Sequence, residues 1–428
     1  MSFISGHFRA LRDRVMTYRD DFIRANTLAR LNAIESRLKH HFEAAQGDDV
    51  YVLRAIAHYQ GQCSIRDRFS LWVIEAVAAG LLLCAPFVFL AGAFKPKPAP
   101  QGARAFFMLL APVNDTVAKL YKVPEQLKDT PTAKTYVPRV WRLNGDDRRI
   151  VTRLCVQLFK TRCPFPLQYV WKALKDMTLA RSYLTAYPQA EYALVAGEYS
   201  CGITLNALQF RHAGKGFYNI MHGDNASTPM ECFLKADRFY VWDDHFIGLL
   251  REQRIDAEFV VSPNPDFVLK AGERLSKTGI GVVVPMINFV PAQYAGVDDL
   301  LKDLGRVLGT TQGLTLRPHP AYPQTFDVLS AAIASPHGKS EPTAQSAHDF
   351  ILNHGVIIGY YSTVLVEAAH LGVPTIILKS PGSVARAEYH GIFKMAHVRH
   401  VSLADLPATL EALISAEGID NRGTRHVA

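Results

Sequence analysis

The feature that most constrains the fold is an alternation of short apolar runs with longer helix-compatible stretches. Strand-like runs form a first series, ARAFFMLLAP, EYALVAG, KGFYNIMHG, RFYVW and EFVVSP, and a second series, GIGVVVPMINFV, GLTLRPHP, HGVIIGY and PTIILKS. The stretches between them include VPEQLKD, MECFLKA, DDLLKDLGRVLG and STVLVEAAHLG. Such alternation is typical of mostly parallel sheets covered by helices. The two series therefore predict two Rossmann-like, doubly wound α/β domains, with a boundary near Pro263 to Ala271.

A chain of 428 residues is long enough for two such domains and additional elements. We predict four segments. Residues 1–66 form a helical N-terminal extension, and residues 67–97 form a hydrophobic, membrane-associated segment. Residues 98–268 and 269–428 form the first and the second Rossmann-like domain.

The first hundred residues contain two further patterns. Apolar residues at helical spacing, Leu28, Leu31, Ile34, Leu38 and Phe42, predict helices that form a hairpin packed on the rest of the chain or contact a lipid surface. The stretch Ala76 to Phe94 carries no charge, which favours a transmembrane helix or a membrane-inserted hairpin. Glu75 and Pro86 argue against a simple span, so a buried core helix remains the alternative. Basic residues flank both ends and leave the orientation open.

The charge and the cysteine content indicate which classes of binding partner and which compartment are expected. A net charge of +8 and a pI near 9.1 favour anionic partners such as phosphorylated substrates or acidic lipids. Basic residues are scattered without interleaved aromatic residues, so nucleic acid is not an expected partner. The six cysteines form no Cys-x-x-Cys pair, which favours a reduced, cytosol-facing protein. The arginine-rich first 30 residues lack an apolar block with a cleavage site and thus predict no secretory signal.

The most specific motifs lie in the second domain. In LTLRPHPAYP a strand ends at Arg317, and the prolines direct this cation and the imidazole of His319 toward the carboxyl edge of the sheet. In IIGYYSTVLVEAAHLGVP a strand leads into a helix that Ser362 or Thr363 can cap. The free amides, the helix dipole and the hydroxyl groups then form an anion site for a diphosphate or phosphodiester.

Each of these residues also has a structural interpretation. Arg317 and His319 can pair with a neighbouring carboxylate and stabilise a loop, and Ser362 and Thr363 can serve only as helix caps. Glu367 shares the helix face of Thr363 and can accept hydrogen bonds from a ribose.

The first domain supplies candidates for a general base. His222 and Asp224, in GFYNIMHGDNAST, follow one predicted strand, and Glu198, in VAGEYSCG, follows another. Any of these groups can be unprotonated near neutral pH, as proton abstraction from a hydroxyl requires. A structural hydrogen bond or an exposed position is the alternative for Glu198. The pair Asp243-Asp244 is interpreted as a solvated helix start, and no metal site or cofactor is predicted.

The order of these motifs resembles a known group of enzymes. His-Gly, Arg-Pro-His-Pro and Ser-Thr-x-Leu-x-Glu-Ala-x-x-x-Gly-x-Pro, within Ala193 to Ser380, resemble bacterial GT-B enzymes of surface-polysaccharide assembly. These include capsule and lipooligosaccharide sialyltransferases, Kdo transferases and CDP-glycerol glycerophosphotransferases. His222-Gly223 is similar to the Gln-His-Gly motif of the phosphotransferase branch, but Met221 replaces the glutamine. The Asp/Glu-Asp/Glu-Gly motif of the sialyltransferases is not present.

The resemblance implies a GT-B fold and metal-independent transfer of a sugar from a nucleotide-activated donor, preferably a CMP-sugar. It places the donor nucleotide phosphate at Arg317, His319, Ser362, Thr363 and Glu367, and acceptor activation in the first domain. The expected acceptor is a glycan or a lipid-linked glycan of the cell surface. The expected location is the inner membrane, in contact with membrane lipid, with the catalytic domains facing the cytoplasm. The alternatives are a CDP-glycerol-type polyol phosphotransferase and a noncatalytic membrane-bound scaffold.

Overall fold

A computed structural model describes most of the chain. It covers residues 24–64, 68–91, 102–109, 122–196, 202–221, 232–276, 278–284, 297–309, 313–318, 325–333, 346–360, 362–380 and 391–419, with single positions at 66, 311, 384, 387 and 389. The chain divides into two compact units, Met1–Pro263 and Asn264–Ala428. This division falls at the start of the interval that the sequence indicated, and the finer limits of the four predicted segments stay predictions.

The described strands of the first unit form a six-stranded parallel sheet. They are β1 (Ala105–Phe107), β2 (Thr132–Ala133), β3 (Tyr192–Val195), β4 (Gly216–Ile220), β5 (Lys235–Val241) and β6 (Asp256–Val261). Their order across the sheet is β2-β1-β3-β4-β5-β6. The strand β2 lies on one side of β1 and the later strands lie on the other, so the strand order reverses between β1 and β3, which is the topological switch point where ligands of such sheets bind.

Helices cover this sheet and extend beyond it. They are α1 (Arg24–Ala44), α2 (Asp48–Ser64), α3 (Arg68–Ala91), α4 (Gly145–Lys160), α5 (Pro166–Ala186), α6 (Ile203–His212) and α7 (Asp244–Glu252). Asp243 caps α7, because its Oδ1 accepts hydrogen bonds from the amides of His245 at 2.8 Å and Phe246 at 3.3 Å. The predicted helix start at Asp243-Asp244 is therefore confirmed.

The helices α1 and α2 are an integral part of the first unit. Leu31, Ile34 and Leu38 of α1 are buried against Ala57 of α2 and the turn at Phe233. Two ion pairs, Arg24 with Glu252 and Arg254 with Glu35, join α1 to the end of α7. The predicted helical hairpin is confirmed, and the surface on which it packs belongs to the sheet domain.

The second unit contains a five-stranded parallel sheet of the same type. Its strands are β7 (Ile280–Val283), β8 (Leu314–Arg317), β9 (Val356–Gly359), β10 (Thr375–Leu378) and β11 (Val398–Val401). The order is β11-β10-β9-β7-β8, which places the switch point between β7 and β9. The described helices are α8 (Val297–Leu308), α9 (Thr325–Ala332), α10 (Ala347–Leu352), α11 (Thr363–His370) and α12 (Leu406–Glu417). Leu300, Leu304 and Leu410 pack on the buried strand residues.

The predicted fold class is confirmed as two doubly wound, parallel α/β domains preceded by helices, and each quoted strand-like run contains a strand. Two helix expectations are wrong. MECFLKA ends as a strand, since β5 begins at Lys235, and VPEQLKD forms only a short 3-10 turn, Glu125–Leu127. In MECFLKA the pairing of β5 with β4 and β6 outweighs helix propensity. In VPEQLKD, Pro124 has an extended backbone at the start of the turn.

In the part of the chain that the structure describes, one helix is long and apolar enough to cross a membrane. Its most apolar window, Arg68–Ala85 in α3, has a mean hydropathy of 1.7. The helix continues past Pro86 to Ala91. Length and composition alone do not separate a span from a core helix or a surface helix, so its packing decides how it is interpreted.

Candidate anion site in the second unit

At the switch point of the second sheet, a glycine lets the ends of β7 and β9 lie close together. A Cβ atom added at Gly359, the last residue of β9, would lie 2.8 Å from the carbonyl oxygen of Val283 in β7. Such a distance is shorter than a normal contact, so glycine allows the carboxyl ends of the two strands to approach. The chain that leaves β9 begins α11 at this edge of the sheet.

Ser362 begins α11 as its N-cap. Its backbone is extended, with φ −155° and ψ 160°, and its Oγ accepts a hydrogen bond from the amide of Val364 at 3.2 Å. Thr363, the first helical residue, is exposed, and Leu365 and Val366 are buried. The first turn of α11 therefore presents neutral hydroxyl groups and amide donors at the carboxyl edge of the sheet, where the positive end of the helix dipole favours an anion.

The corresponding helix of the first unit differs in charge. The helix α6 starts after β3, beside the first switch point, but a buried carboxylate lies at its start. A Cβ atom added at Gly202 would lie only 2.3 Å from Oδ2 of Asp176, which comes from α5 and is 8% exposed. A carboxylate at this position already satisfies the helix dipole and repels a second anion. Of the two switch-point helices, α11 is thus the better candidate for binding an anion.

Arg317 lies at the end of β8, as predicted, and is half-buried. Its guanidinium group lies 5.6 Å from the centre of the Phe350 ring, and its Nη1 donates to the carbonyl oxygen of Ser346 at 3.4 Å. Burial lowers the pKa of Arg317 from its ordinary value, while the charges of Glu367 and Asp349 oppose this change. A guanidinium group keeps its charge under all physiological conditions. Arg317 therefore supplies a fixed positive charge within electrostatic reach of Glu367.

Glu367 is buried inside the second unit. It is 7% exposed, and its Oε1 lies 3.3 Å from Nδ1 of His348 on α10. The other ring nitrogen of His348, Nε2, lies 3.0 Å from Oε2 of Glu273. The imidazole thus connects two carboxylates, one buried and one partly exposed.

The pKa values of this cluster favour a charged imidazole. Burial lowers the pKa of His348, but the hydrogen bond that the imidazole donates to Glu273 and the charges of Glu273 and Glu367 outweigh burial, so that its pKa is raised. The pKa of Glu273 is lowered by its hydrogen bond with His348 and by the amide of Lys270. A doubly protonated imidazole donates one N–H to each carboxylate, which holds the Glu367 side chain in position.

Sequence reasoning missed His348 and Glu273. A local signal existed for the helix that carries His348, because Ser346 and Asp349 form a Ser-x-x-Asp cap in which Ser346 Oγ accepts from the amide of Asp349 at 3.0 Å. The partners of the histidine are distant in sequence, and no spacing rule connects them.

The predicted site residues divide into two groups. Arg317, Ser362, Thr363 and Glu367 all lie at or near the carboxyl edge of the second sheet, and Arg317 and Glu367 interact electrostatically. The second group lies outside the described residues, so its roles stay predictions: Glu198, His222, Asp224, His319 and the Tyr361 of the helix-entry motif.

Comparisons with known proteins add little to this geometry. No protein-family model and no curated protein matches the chain. Among solved structures, the chain is similar to the crystal structure of Acinetobacter baumannii MurG, with 14% sequence identity and a TM-score of 0.40. The match covers 74% of this chain and 94% of that one. A likeness this distant carries no argument about activity, so the function is argued from the residues.

Proposed function

We propose that the chain is a glycosyltransferase that moves a sugar from a nucleotide-activated donor to a glycan or lipid-linked acceptor. A CMP-sugar is the favoured donor, and the acceptor belongs to cell-surface polysaccharide synthesis. The protein acts at the cytoplasmic face of the inner membrane, with a nucleotide-sugar as substrate and no cofactor. This proposal joins the motif resemblance to the features of the second unit.

The observation that carries the proposal is the start of α11 at the second switch point. The Ser362 cap presents amide donors and hydroxyl groups at the helix start, and among the described residues no carboxylate is found there that corresponds to Asp176 at α6. A site of this kind suits the phosphate of a nucleotide. Arg317 adds a permanent positive charge at the same edge of the sheet.

Transfer requires stabilisation of the leaving nucleotide phosphate. As the bond between the anomeric carbon and the phosphate oxygen breaks, negative charge grows on the phosphate. Arg317, His319 and the positive end of the α11 dipole are proposed to stabilise that charge. Glu367, oriented by His348, is proposed to accept a hydrogen bond from the donor ribose.

The first unit is proposed to hold the acceptor and the base. His222, Glu198 or Asp224 removes the proton from the acceptor hydroxyl as its oxygen attacks the anomeric carbon. The residues before these candidates end parallel strands: β3 ends at Val195 and β4 ends at Ile220. Strand ends beside a switch point are the positions where α/β sheets place their ligands, which supports this assignment.

The test is turnover by the purified full-length protein with a panel of donors. CMP-, CDP-, UDP- and GDP-activated sugars and CDP-glycerol are each incubated with the protein, and nucleotide release and the shift in melting temperature are measured. We expect one nucleotide-sugar class to raise the melting temperature and to be turned over. Release from CDP-glycerol alone would establish the polyol phosphotransferase alternative.

A matched pair of variants gives the test its control. Arg317→Ala is expected to lower kcat/KM by about 10²-fold to 10³-fold, because a charge that stabilises the leaving phosphate is lost. Arg306→Ala removes an exposed arginine of α8 that forms an ion pair with Asp303 one turn earlier, and it should leave turnover unchanged. If no donor stabilises the protein or is turned over, the proposal fails and the noncatalytic scaffold is favoured.

A further inference from the structure

The helix α3 has two unlike faces. Leu71 and Ala78 are buried against the first unit, whereas Phe69, Trp72 and Leu83 are 69%, 66% and 78% exposed. The outward face, defined by Phe69, Trp72, Val73, Val77, Leu81 and Leu83, contains half of the large hydrophobic residues that are exposed in the described structure. So many large apolar side chains on one helix face indicate an interaction surface rather than ordinary solvent-exposed scatter.

A buried glutamate attaches the other face of α3 to the domain. Oε1 of Glu75 accepts from the amide of Leu167 at 2.9 Å, and Oε2 accepts from the amide of Gln168 at 2.8 Å. Both amides belong to the first turn of α5, so Glu75 satisfies two free donors and the positive end of the α5 dipole. The carboxylate that shortens the apolar run in the sequence is therefore the docking contact of the helix.

This docking is incompatible with a membrane span. The partner helix α5 carries Lys172, Lys175 and Arg181, and Arg181 forms a buried ion pair with Asp147. A helix with this many charges does not accompany α3 through hydrocarbon. Only the outward face of α3 is available to an apolar phase, so the geometry is that of a helix lying in the plane of a bilayer surface.

The docked helix lies at the ligand end of the first sheet. The hydroxyl of Tyr183, near the C-terminus of α5, accepts a hydrogen bond from the amide of Leu109. Leu109 follows β1 and therefore lies at the carboxyl edge of the sheet. The hydroxyl remains neutral, since burial raises the pKa of Tyr183 to about 12. Asp176, two turns before Tyr183, lies at the start of α6 and thus also at the carboxyl edge, and the first turn of α5, where Glu75 docks, is about 13 Å farther along the same helix.

The rim of the outward face has the composition of a membrane interface. Trp72 contacts Phe165, the N-cap of α5, edge to face, with ring centroids 5.3 Å apart. Amphipathic tryptophans are enriched at the level of lipid headgroups. Arg66 and Arg68 adjoin Phe69, and the exposed Arg162 precedes Phe165 by three positions, which complements anionic headgroups.

We propose that the outward face of α3 binds an anionic bilayer in the plane of its surface, without crossing it, and brings the carboxyl end of the first sheet to the headgroups. This placement has a consequence for the acceptor, which rests on the proposed function: a lipid-linked acceptor reaches the base candidates directly from the membrane. Binding itself depends only on α3 and its rim.

Vesicle flotation of the full-length protein tests the surface. Phosphatidylcholine vesicles with and without about 30% phosphatidylglycerol are compared, because anionic lipid should strengthen binding in a salt-dependent manner. Val77→Glu is expected to reduce the floated fraction at least about five-fold, since it places a charge in the apolar contact. Val268→Glu is the matched control, because Val77 and Val268 are both 58% exposed but Val268 lies in the second unit.

Depth measurement separates an in-plane helix from a span. Val73 and Cys84 lie on the same side of α3, about 16 Å apart along its axis. Single fluorophores on Val73→Cys and on the native Cys84 should be quenched equally by lipids brominated at one chain depth. In a spanning helix the two labels would differ in depth by most of that separation. The other exposed or undescribed thiols, Cys155 and Cys201, are replaced by serine, and Cys84 by alanine in the Val73→Cys variant.

Three results would overturn the proposal: flotation of Val77→Glu at the wild-type level, unequal label depths, and a lipid-independent dimer that Val77→Glu dissociates while vesicles bind neither protein. Donor-induced stabilisation, measured on the same samples, keeps this test separate from the proposed function. If Val77→Glu loses flotation but retains the donor shift, the surface is established independently of the donor site. If no donor binds at all while flotation behaves as expected, membrane binding by α3 stands, and only the inference about the lipid-linked acceptor is abandoned.

Discussion

Oε1 of Glu367 and Nδ1 of His348 lie 3.3 Å apart at the carboxyl edge of the second sheet. The imidazole comes from α10 and the carboxylate from α11, so this contact fixes the two helices relative to each other behind the candidate anion site. The same imidazole contacts Glu273, at the entry to the second unit. One histidine thereby connects three separate segments of the chain.

The first prediction concerns the pH dependence of that connection. The raised pKa of His348 means that its stabilising contribution is fully present below its unfolded-state value of 6.5 and is lost as pH rises through the folded-state value. Glu273, with a lowered pKa, contributes above 4.5 and loses its contribution as pH falls. We expect His348→Gln to lower the melting temperature more at pH 6 than at pH 8.5. An equal effect at both values would show that His348 is not charged in the folded protein.

The second prediction separates a ligand-binding cap from a structural one. Ser362→Ala removes the hydroxyl that accepts from Val364, and Asn144→Ala removes the cap of α4, where Asn144 Oδ1 accepts from the amide of Asp147 at 2.9 Å. Each change should cost about 1 kcal/mol of stability. Only Ser362→Ala should also weaken binding of the productive donor nucleotide, by about ten-fold in isothermal titration. Equal donor affinity in both variants would identify Ser362 as a structural cap alone.

The third prediction compares two glycines. Gly359→Ala introduces a Cβ atom 2.8 Å from the carbonyl oxygen of Val283, so the ends of β7 and β9 must separate, at a cost of about 1–3 kcal/mol in unfolding free energy. Gly248→Ala, in the interior of α7, meets no atom within 4 Å and should stabilise the helix by about 0.5–1 kcal/mol. Chemical denaturation measures both changes. A neutral Gly359→Ala would mean that the two strands approach less closely than the structure indicates.

The fourth prediction tests the attachment of α3. Glu75→Ala leaves the amides of Leu167 and Gln168 without their acceptors, and the loss of two hydrogen bonds to a charged group should cost about 3 kcal/mol or more. Glu75→Gln retains one acceptor oxygen and should cost less. The melting temperature of the first-unit transition reports the difference. If Glu75→Ala melted like wild type, α3 would not depend on this contact for its position.

Much of the secondary structure was predictable because its signals are local. Short apolar runs predicted the strands, apolar residues at helical spacing predicted the N-terminal helices, and the residues Ser362 and Thr363 predicted where α11 begins. MECFLKA failed for the opposite reason: its residues suit a helix in isolation, and pairing with distant strands made Lys235 the start of β5 instead.

By itself, the sequence determined that the chain forms two parallel α/β units, that Arg317 ends a strand and that a helix starts at Ser362 or Thr363. Only the tertiary structure decided which partners the charged side chains contact when those partners are distant in sequence. It joined His348 to Glu273 and Glu367, brought Asp176 to the start of α6, and placed Glu75 on the first turn of α5. Capping and periodicity act within a few residues of chain, whereas a buried carboxylate takes its partner from whichever donor packing brings near, at any separation in sequence.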